Sequence, residues 1–196
     1  MPLEVHPDAK ALIFDLDGTL ADTMATHYKA CQKVGEAYNF EFPLDFFLSS
    51  AGRPTTEVFE LLIKQKGLQL DASKLAALKE EAYVSFIHEV SPMQVVARLI
   101  EEYSGKLPMA IGTGSTADIA IKTLDATGLT GKIEVVVTAD DVVNTKPAPD
   151  TFLLCAERMN VRPEGCQVFE DGQPGLDAAI AAGMIPTDVR PYTGSF

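Results

Sequence analysis

The chain has 196 residues, of which 46% are hydrophobic and 22% charged, a balance that excludes a disordered chain and allows one sizeable core with one small additional domain. Its formal net charge of -12, without any run of lysine and arginine, argues against a nucleic-acid partner. No apolar run reaches the ~18 residues of a membrane span, the start lacks secretory features and the cysteines lack metal-type spacing, so we expect a cytoplasmic protein with reduced thiols and no membrane partner.

Five short apolar runs predict β-strands, because each is followed by small, polar or acidic residues and then by a helical pattern. The predicted strands are 11–15, 109–113, 133–138, 166–170 and 185–189. Strands that are apolar on both sides are expected where helices cover both faces of a sheet. The sequence therefore predicts a doubly wound, parallel α/β sheet of the Rossmann-like kind, with ligands at the carboxyl ends of the strands.

A long insertion separates the first two predicted strands, since about 90 residues lie where a βα connection usually has a few. Three stretches of the insertion, 24–38, 56–67 and 73–90, have apolar residues at helical spacing. We therefore predict a helical cap domain over residues 21–90, ended by Pro92. The core domain then comprises residues 1–20 and 91–196.

Two acids, Asp15 and Asp17, stand at the end of the first predicted strand in the stretch FDLDGTL. A doubly wound sheet would bring Glu170 and Asp171, at the end of the fourth strand, beside them. Four carboxylates in one crevice need protons or a cation, and an all-oxygen set without histidine or cysteine suits Mg²⁺. We therefore predict a Mg²⁺ site, although Asp-Leu-Asp-Gly alone is also an ordinary turn sequence.

Two further loops carry groups that suit a phosphate. After the second strand, Thr113 offers a hydroxyl, Gly114 offers an accessible backbone N–H, and Ser115 or Thr116 caps a helix whose N-terminus attracts an anion. After the third strand, two prolines stiffen a loop with a single lysine, Lys146, whose charge can screen a nucleophile and a phosphate from each other. A plain capped turn and a solvated lysine are the alternative interpretations.

The string Gly112-x-Gly114-x-x-Ala117 also matches the dinucleotide-binding fingerprint, since it follows a predicted strand and opens a helix. That fingerprint needs an acid near the end of the next strand, whereas Glu134 stands at the beginning of it. Dinucleotide binding would also leave the acids and the lysine at the other strand ends unexplained. We therefore favour the phosphate interpretation.

The ordered motifs resemble the haloacid dehalogenase superfamily: DLDGT, then Thr113, then Lys146 before Pro-x-Pro, then Glu170-Asp171. With the helical insertion and the stretches KPAPDTFLLCAERM and VFEDGQPGLDAAIAAGM, nearly the whole chain is similar to the β-phosphoglucomutase-like subgroup, especially its fructose-1-phosphate phosphatase branch. The fold that this resemblance implies agrees with the one predicted from the strands and the insertion.

The resemblance implies that Asp15 attacks the substrate phosphorus and forms an aspartyl-phosphate. Asp17 would protonate the leaving oxygen and then activate water, two roles that it can combine if its acidic neighbours raise its pKa. An acid at position 17 argues against the dehalogenase branch, which has no leaving alcohol to protonate. Phosphoryl transfer is therefore the expected chemistry.

The resemblance also implies the ligands and the phosphate contacts. The residues that would hold Mg²⁺ are Asp15, the backbone carbonyl of Asp17, Asp171 and, directly or through water, Glu170. The metal, Lys146, Thr113 and the N–H of Gly114 would surround the transferring phosphoryl group, with Ser115 beside them. Mg²⁺ is the cofactor that we expect.

The cap favours a phosphatase over a phosphosugar mutase, because a mutase needs cations for the distal phosphate of a bisphosphate. The β-phosphoglucomutase pattern has a lysine and an arginine around the cap loop and a lysine in the last cap helix. Here the loop over 50–55 is SAGRPT and the helix over 83–85 is YVS, which leaves only a displaced Arg53. Thr23 and His27 match substrate-facing positions of the subgroup, or they are ordinary helix surface. We expect a small phosphorylated sugar or sugar acid as substrate, with the mutase as the alternative.

One position departs from the subgroup, whose fourth motif usually continues with serine where this chain has Gly172. The missing hydroxyl predicts a looser orientation of the metal-binding acids and lower metal affinity or rate. A non-catalytic receiver module phosphorylated at Asp15 would share the acids, the threonine and the lysine, but it needs neither a cap of about 70 residues nor an aspartate at position 17. We expect a monomer or a weak dimer.

Overall fold

The structure, a computed structural model, describes residues 2–194 of the chain. The strands in chain order are β1 (Ala11–Phe14), β2 (Ala21–Asp22), β3 (Ser91–Pro92), β4 (Met109–Gly112), β5 (Val135–Val137), β6 (Cys166–Glu170) and β7 (Ile185–Asp188). The helices are α1 (Met24–Ala37), α2 (Leu44–Ser49), α3 (Thr55–Lys66), α4 (Ala72–Phe86), α5 (Gln94–Tyr103), α6 (Ala117–Thr127), α7 (Asp150–Arg158), α8 (Gln173–Ala181) and α9 (Arg190–Thr193).

Five strands form one sheet in the order β5-β4-β1-β6-β7, and every neighbouring pair is parallel. Successive side chains of a strand point to opposite faces. Leu12 and Phe14 of β1 therefore join an apolar cluster with α5 and α6, whereas Ala11 and Ile13 join a second cluster with α7 and α8. The predicted doubly wound α/β fold is confirmed. The third predicted strand, 133–138, is β5 and is shorter than predicted. It ends at Val137, because Thr138 begins the 3-10 turn at Ala139–Asp141.

The insertion between β1 and β4 is helical, as predicted, but it contains α2 as well as the three predicted helices. This helix has 6 residues, fewer than two turns, so its sequence shows no repeat of the helical apolar spacing. Apolar side chains of α1 to α4 form a cluster of their own, in which Phe42 packs edge-on against Phe47 and Phe59. The predicted domain limits at 20/21 and 90/91 stay a prediction.

A short antiparallel pair lies where the chain leaves and re-enters the core, with Ala21 of β2 opposite Pro92 of β3. Strands of 2 residues are too short to show an alternating pattern, so the sequence did not predict them. Pro92, which we expected to end the cap, lies in β3, after α4 has ended at Phe86 and a 3-10 turn has followed at Ile87–Glu89.

The three cysteines are free and buried. Burial raises the pKa of the Cys31 and Cys166 thiols to about 11 and that of Cys155 to about 12. All three are therefore protonated at neutral pH and poor nucleophiles. Across residues 2–194, no helix combines the length and the apolar character that crossing a membrane requires.

Candidate active site

The predicted site residues lie at one edge of the sheet, where parallel strands end. Since β1 lies between β4 and β6, their carboxyl ends meet. The strands after β1 are added first on one side of it and later on the other, which makes β1 the topological switch point where such sheets bind ligands. Asp15, Thr113 and Glu170 stand at these three ends, and the backbone N–H of Asp15 donates to the carbonyl of Phe169 at 3.0 Å.

Three carboxylates and one ammonium form the centre of the site. Asp15, Glu170 and Asp171 each offer an oxygen, and these oxygens lie within 4.8 Å of one another. Lys146 Nζ donates to Asp15 Oδ1 and to Glu170 Oε1, both at 2.7 Å. The side chains of Lys146, Asp15 and Glu170 are 0%, 3% and 1% exposed. Residues more than 150 positions apart in the sequence therefore meet as the strand order predicted.

Two glycines make this close approach possible. Gly18 has a φ of +85°, and a Cβ there would overlap the carboxylate of Asp171. A Cβ at Gly175 would overlap the carboxylate of Glu170. Backbone without side chains at these two positions lets the acids of one loop pack against the next loop.

The acidic cluster holds more negative charge than Lys146 neutralises. Burial raises the pKa of Asp15, with Lys146 acting in the opposite direction, and burial followed by the charge of Glu170 raises the pKa of Asp171 to about 7. Burial acts to lower the pKa of Lys146, but Asp15 and Glu170 raise it overall. An all-oxygen donor set with surplus negative charge fits a hard divalent cation such as Mg²⁺. Asp15, Glu170 and Asp171 are the side chains that would hold it.

The raised pKa of Asp171 predicts that metal binding depends on pH. Mg²⁺ bound here would displace the proton of a carboxyl with a pKa of about 7, so the stabilisation by Mg²⁺ should be about 2 kcal/mol smaller at pH 5.5 than at pH 8. Without metal, the folded state binds this proton more tightly than the unfolded chain does. Stability should therefore fall as the pH rises from about 4 to about 7.

Thermal denaturation at both pH values, with and without Mg²⁺, measures this dependence. The Asp171→Asn variant serves as the control, because it removes the titrating carboxyl and should lose most of the pH dependence. An equal Mg²⁺ stabilisation of the unaltered protein at both pH values would contradict the prediction.

Asp17 has partners of its own outside the acidic cluster. Its carboxylate accepts from Ser115 Oγ at 2.7 Å and contacts His27 Nε2 at 3.0 Å. Burial acts to raise the pKa of Asp17, but His27 and the Ser115 hydrogen bond lower it well below its usual range. The expectation that acidic neighbours raise this pKa is therefore wrong. Asp17 is ionised in this arrangement and able to accept a proton.

His27 is the link between Asp17 and the cap. Lys79 Nζ lies 2.8 Å from His27 Nδ1 and has only protons to offer, so Nδ1 accepts and the ring carries its proton on Nε2, facing Asp17. Burial, and then the charge of Lys79, lower the pKa of His27. The ring also stacks on Tyr83, with centroids 4.0 Å apart. His27, which the resemblance gave as a substrate-facing residue, is thus held in a neutral form next to Asp17.

A cavity opens between the core and the cap above these residues. The core contributes Asp15, Asp17, Thr113, Gly114 and Ser115 to its lining. The cap contributes polar residues, His27, Arg53, Thr55 and Lys79 among them, and apolar residues that include Met24, Phe47, Val58 and Phe59. The cavity therefore has a polar floor at the strand ends and a mixed polar and apolar roof.

Lys79 is the functional candidate that sequence reasoning missed. The residues compared in the last cap helix were 83–85, and the expectation that Arg53 is the remaining cap cation is wrong. Lys79 lies one helical turn earlier on α4, with its side chain 7% exposed, and it lines the cavity. A lysine within the apolar stripe of Leu75, Ala76, Ala82 and Tyr83 is the signal that could have revealed it.

Two other predicted cap residues have different surroundings. Arg53 lines the cavity, and its Nη1 lies 3.8 Å from Glu57 Oε2. Thr23 is fully buried and is absent from the cavity lining. The substrate contact that we expected of Thr23 has no support in this geometry.

The cap loop rests directly on two core loops. A Cβ at Gly114 would lie 2.5 Å from the carbonyl oxygen of Gly52, and one at Gly172 would lie 3.1 Å from that of Ala51. A further contact joins the cap to the core, because Thr145 Oγ1 of the loop before α7 donates to Glu57 Oε1 of α3 at 2.6 Å. The cap is therefore closed over the site.

The glycine in place of the subgroup's serine at position 172 lies under this cap loop. Its backbone N–H donates to Glu170 Oε2 at 2.6 Å, and Thr19 Oγ1 donates to Asp171 Oδ1 at 3.1 Å. Both acids thus have an orienting donor without a hydroxyl at position 172. The lower metal affinity or rate that we expected from the missing serine stays a prediction.

The closed position of the cap can be tested by a substitution at Gly114. In the Gly114→Ala variant the new methyl group would meet the backbone of Gly52, so the cap must move away. We expect kcat/KM for a phosphate ester to fall by about 10-fold or more, with the free energy of unfolding changed by less than about 1 kcal/mol. Gly165→Ala is the control, because its Cβ would meet only side-chain atoms of Lys10 and Val161. Unchanged kinetics in the Gly114 variant would contradict a closed cap.

The family model of the haloacid dehalogenase-like hydrolases matches residues 12–187. The chain belongs to this family. Its membership confirms the resemblance stated from the motifs, and the described fold is a parallel sheet with flanking helices.

Named relatives show which members this hydrolase resembles. It is 43% identical over 180 residues to fructose-1-phosphate phosphatase YqaB of Escherichia coli, covering 91% of this chain and 95% of the relative. It is 27% identical over 188 residues to the β-phosphoglucomutase of Bacillus subtilis, covering 92% of this chain and 83% of the relative.

Two solved structures have the same fold along most of the chain. A hydrolase from Pseudomonas syringae superposes with a TM-score of 0.86 at 25% identity, over 95% of this chain and 86% of that one. The β-phosphoglucomutase of Clostridium difficile superposes with a TM-score of 0.82 at 26% identity, over 92% and 84%. The haloacid dehalogenase-like hydrolase described here therefore has both phosphatases and mutases among its relatives.

Proposed function

We propose that this protein is a Mg²⁺-dependent phosphatase of small phosphorylated sugars or sugar acids that works through an aspartyl-phosphate on Asp15. The observation that carries the proposal is the buried Asp15 carboxylate, paired with Lys146 at 2.7 Å, inside a three-carboxylate cluster and beneath a closed cap. The similarity to a fructose-1-phosphate phosphatase and to a phosphorylated carbohydrates phosphatase of Thermotoga maritima, 29% identical over 179 residues, supports the substrate class.

The first step forms the bond between Asp15 and the phosphoryl group. A carboxylate oxygen of Asp15 attacks phosphorus, the bond from phosphorus to the ester oxygen breaks, and the leaving oxygen takes a proton from Asp17. Lys146 and the Thr113 hydroxyl, which stand at neighbouring strand ends, would stabilise the charge on the phosphoryl oxygens. Bound Mg²⁺ would supply charge neutralisation for those oxygens.

The second step releases phosphate. Asp17 takes a proton from water, the water oxygen attacks phosphorus, and the bond to Asp15 breaks to restore its carboxylate. Asp17 is ionised in this arrangement and can accept that proton, although its lowered pKa makes it a weak base. For the preceding acid step Asp17 must first take up a proton, and the negative charge of an arriving phosphate raises its pKa and so favours that uptake.

A phosphosugar mutase is the second candidate. The β-phosphoglucomutase of Bacillus subtilis and the solved β-phosphoglucomutase of Clostridium difficile both match most of the chain. Lys79 adds a second cation to the cavity, beside Arg53. However, all three N–H groups of its ammonium already face acceptors of this chain: His27 Nδ1, Thr55 Oγ1 and Glu80 Oε1. This saturation favours the phosphatase, since a distal phosphate would find no free donor on Lys79.

A panel of sugar monophosphates and sugar-acid phosphates, assayed with Mg²⁺ and with EDTA, tests the proposal. We expect release of inorganic phosphate with Mg²⁺ and its loss with EDTA. Formation of a sugar-phosphate isomer without net phosphate release, stimulated by a sugar bisphosphate, would support the mutase instead. No turnover of any ester would overturn both.

A further inference from the structure

We infer that Glu80 determines specificity, by neutralising Lys79 so that the cavity takes a phosphate ester with an uncharged polyol tail and rejects one with a second anionic group. This inference rests on the proposed phosphatase function and narrows its substrates to phosphorylated sugars, because a sugar-acid phosphate carries a second anionic group. It concerns the cap end of the cavity, away from the carboxylate cluster.

The cap end contains two cations, and each faces an acid of the cap. Lys79 Nζ donates to Glu80 Oε1 at 3.3 Å, and Arg53 lies 3.8 Å from Glu57. His27 adds no charge, because its Nδ1 accepts from Lys79. The roof of the cavity therefore carries no surplus positive charge that could offset a second anionic group of the substrate.

Glu80 is held in place to act on Lys79. Its Oε1 accepts from the Thr55 hydroxyl at 2.5 Å as well as from Lys79, and its side chain is only 23% exposed. Its other oxygen, Oε2, is shielded from solvent and has no hydrogen-bond partner among the residues that the structure describes. Lys79 is thus the cation that this carboxylate faces, and the pair lies where solvent screens it little.

Thr55 completes the neutral surface. Lys79 donates to Thr55 Oγ1 at 3.3 Å while the same hydroxyl donates to Glu80. Since Thr55 and Lys79 both line the cavity, a substrate tail meets a hydroxyl and a charge-compensated ammonium. Hydroxyl groups can exchange hydrogen bonds with such a surface, whereas a carboxylate or phosphate would also face the charge of Glu80.

The experiment compares two esters that differ only in the distal group, fructose 1-phosphate and fructose 1,6-bisphosphate. The Glu80→Gln variant keeps an oxygen for Thr55 and removes the negative charge. We expect the preference of kcat/KM for the monophosphate to fall by about 10-fold, through a lower KM for the bisphosphate. Adding Lys79→Met to this variant should restore the original preference, because the lower KM for the bisphosphate depends on the ammonium of Lys79.

Glu81→Gln is the matched control, since Glu81 is the next residue of the same helix and is exposed. This variant should leave the preference unchanged. A preference that Glu80→Gln does not move, or that Glu81→Gln moves equally, would overturn the inference.

Equilibrium binding separates this inference from the proposed function. Calorimetric titration of both esters into Asp15→Asn protein, with and without Glu80→Gln, measures the same preference without turnover. If the unaltered protein hydrolyses no ester of the panel, the proposed function fails, and the binding ratio still decides the role of Glu80. A ratio shifted toward the bisphosphate supports that role, and an unshifted ratio rejects it.

Discussion

Replacing Asp15 by asparagine is expected to lower phosphate release by at least about 1,000-fold, because the amide cannot attack phosphorus. The change is nearly isosteric, and Lys146 keeps its 2.7 Å contact with Glu170, so the fold should survive. Initial rates with fructose 1-phosphate and with an aryl phosphate, both in Mg²⁺, measure the effect. Circular dichroism and a thermal melt of the same sample show whether the variant is folded.

Asp8→Asn is the control for the loss of a carboxylate elsewhere. The side chain of Asp8 is 86% exposed and lies outside the cavity lining, so this variant should retain the full rate. An Asp15→Asn protein that releases phosphate as fast as the unaltered protein would reject the aspartyl-phosphate. If the unaltered protein and the Asp15→Asn variant are equally inactive on every ester, the proposed enzymatic function is rejected.

Replacing Lys146 by methionine is expected to lower the free energy of unfolding by about 3–5 kcal/mol at pH 8 without metal, because it leaves buried carboxylates without their cation. Lys146 is 1% exposed, pairs with Asp15 and Glu170 at 2.7 Å and lies over the ring of Phe152. Mg²⁺ should restore part of the loss, since it would offset the same acids. Urea unfolding with and without Mg²⁺ measures both effects.

Lys132→Met provides the comparison with an exposed ion pair. Lys132 faces Glu101 at 3.1 Å, but the two side chains are 42% and 73% exposed, so solvent screens their interaction. This variant should lose less than about 1 kcal/mol. If the two lysine variants are equally stable, the buried pair does not hold the acidic cluster together.

The central site could be predicted because it depends on elements that the sequence itself marks. Apolar runs followed by acidic, hydroxyl or basic residues locate the strand ends, and the strand order of a doubly wound sheet brings them to one edge. Asp15 and Asp171 therefore meet although most of the chain lies between them. The family resemblance, carried by the same strand-end residues, pointed to the same set.

The surroundings of Asp17 could not be predicted in this way. Acids at neighbouring strand ends suggested that its pKa is raised, but the carboxylate turns to Ser115 and His27, which lower it. His27 comes from the cap, and its orientation depends on Lys79 and on stacking with Tyr83. These contacts depend on how the cap packs on the core.

By itself, the sequence determined the fold class, the insertion of a helical cap and the strand-end residues, because periodicity and turn chemistry act locally and strand order then restricts the arrangement. Only the tertiary structure decided the partners of Asp17, the burial of Lys79 with Glu80 and the contact of the cap loop with Gly114 and Gly172. The physical reason is that local patterns indicate which side of an element is buried, whereas these contacts join surfaces of two units whose relative position is set by packing across the whole interface.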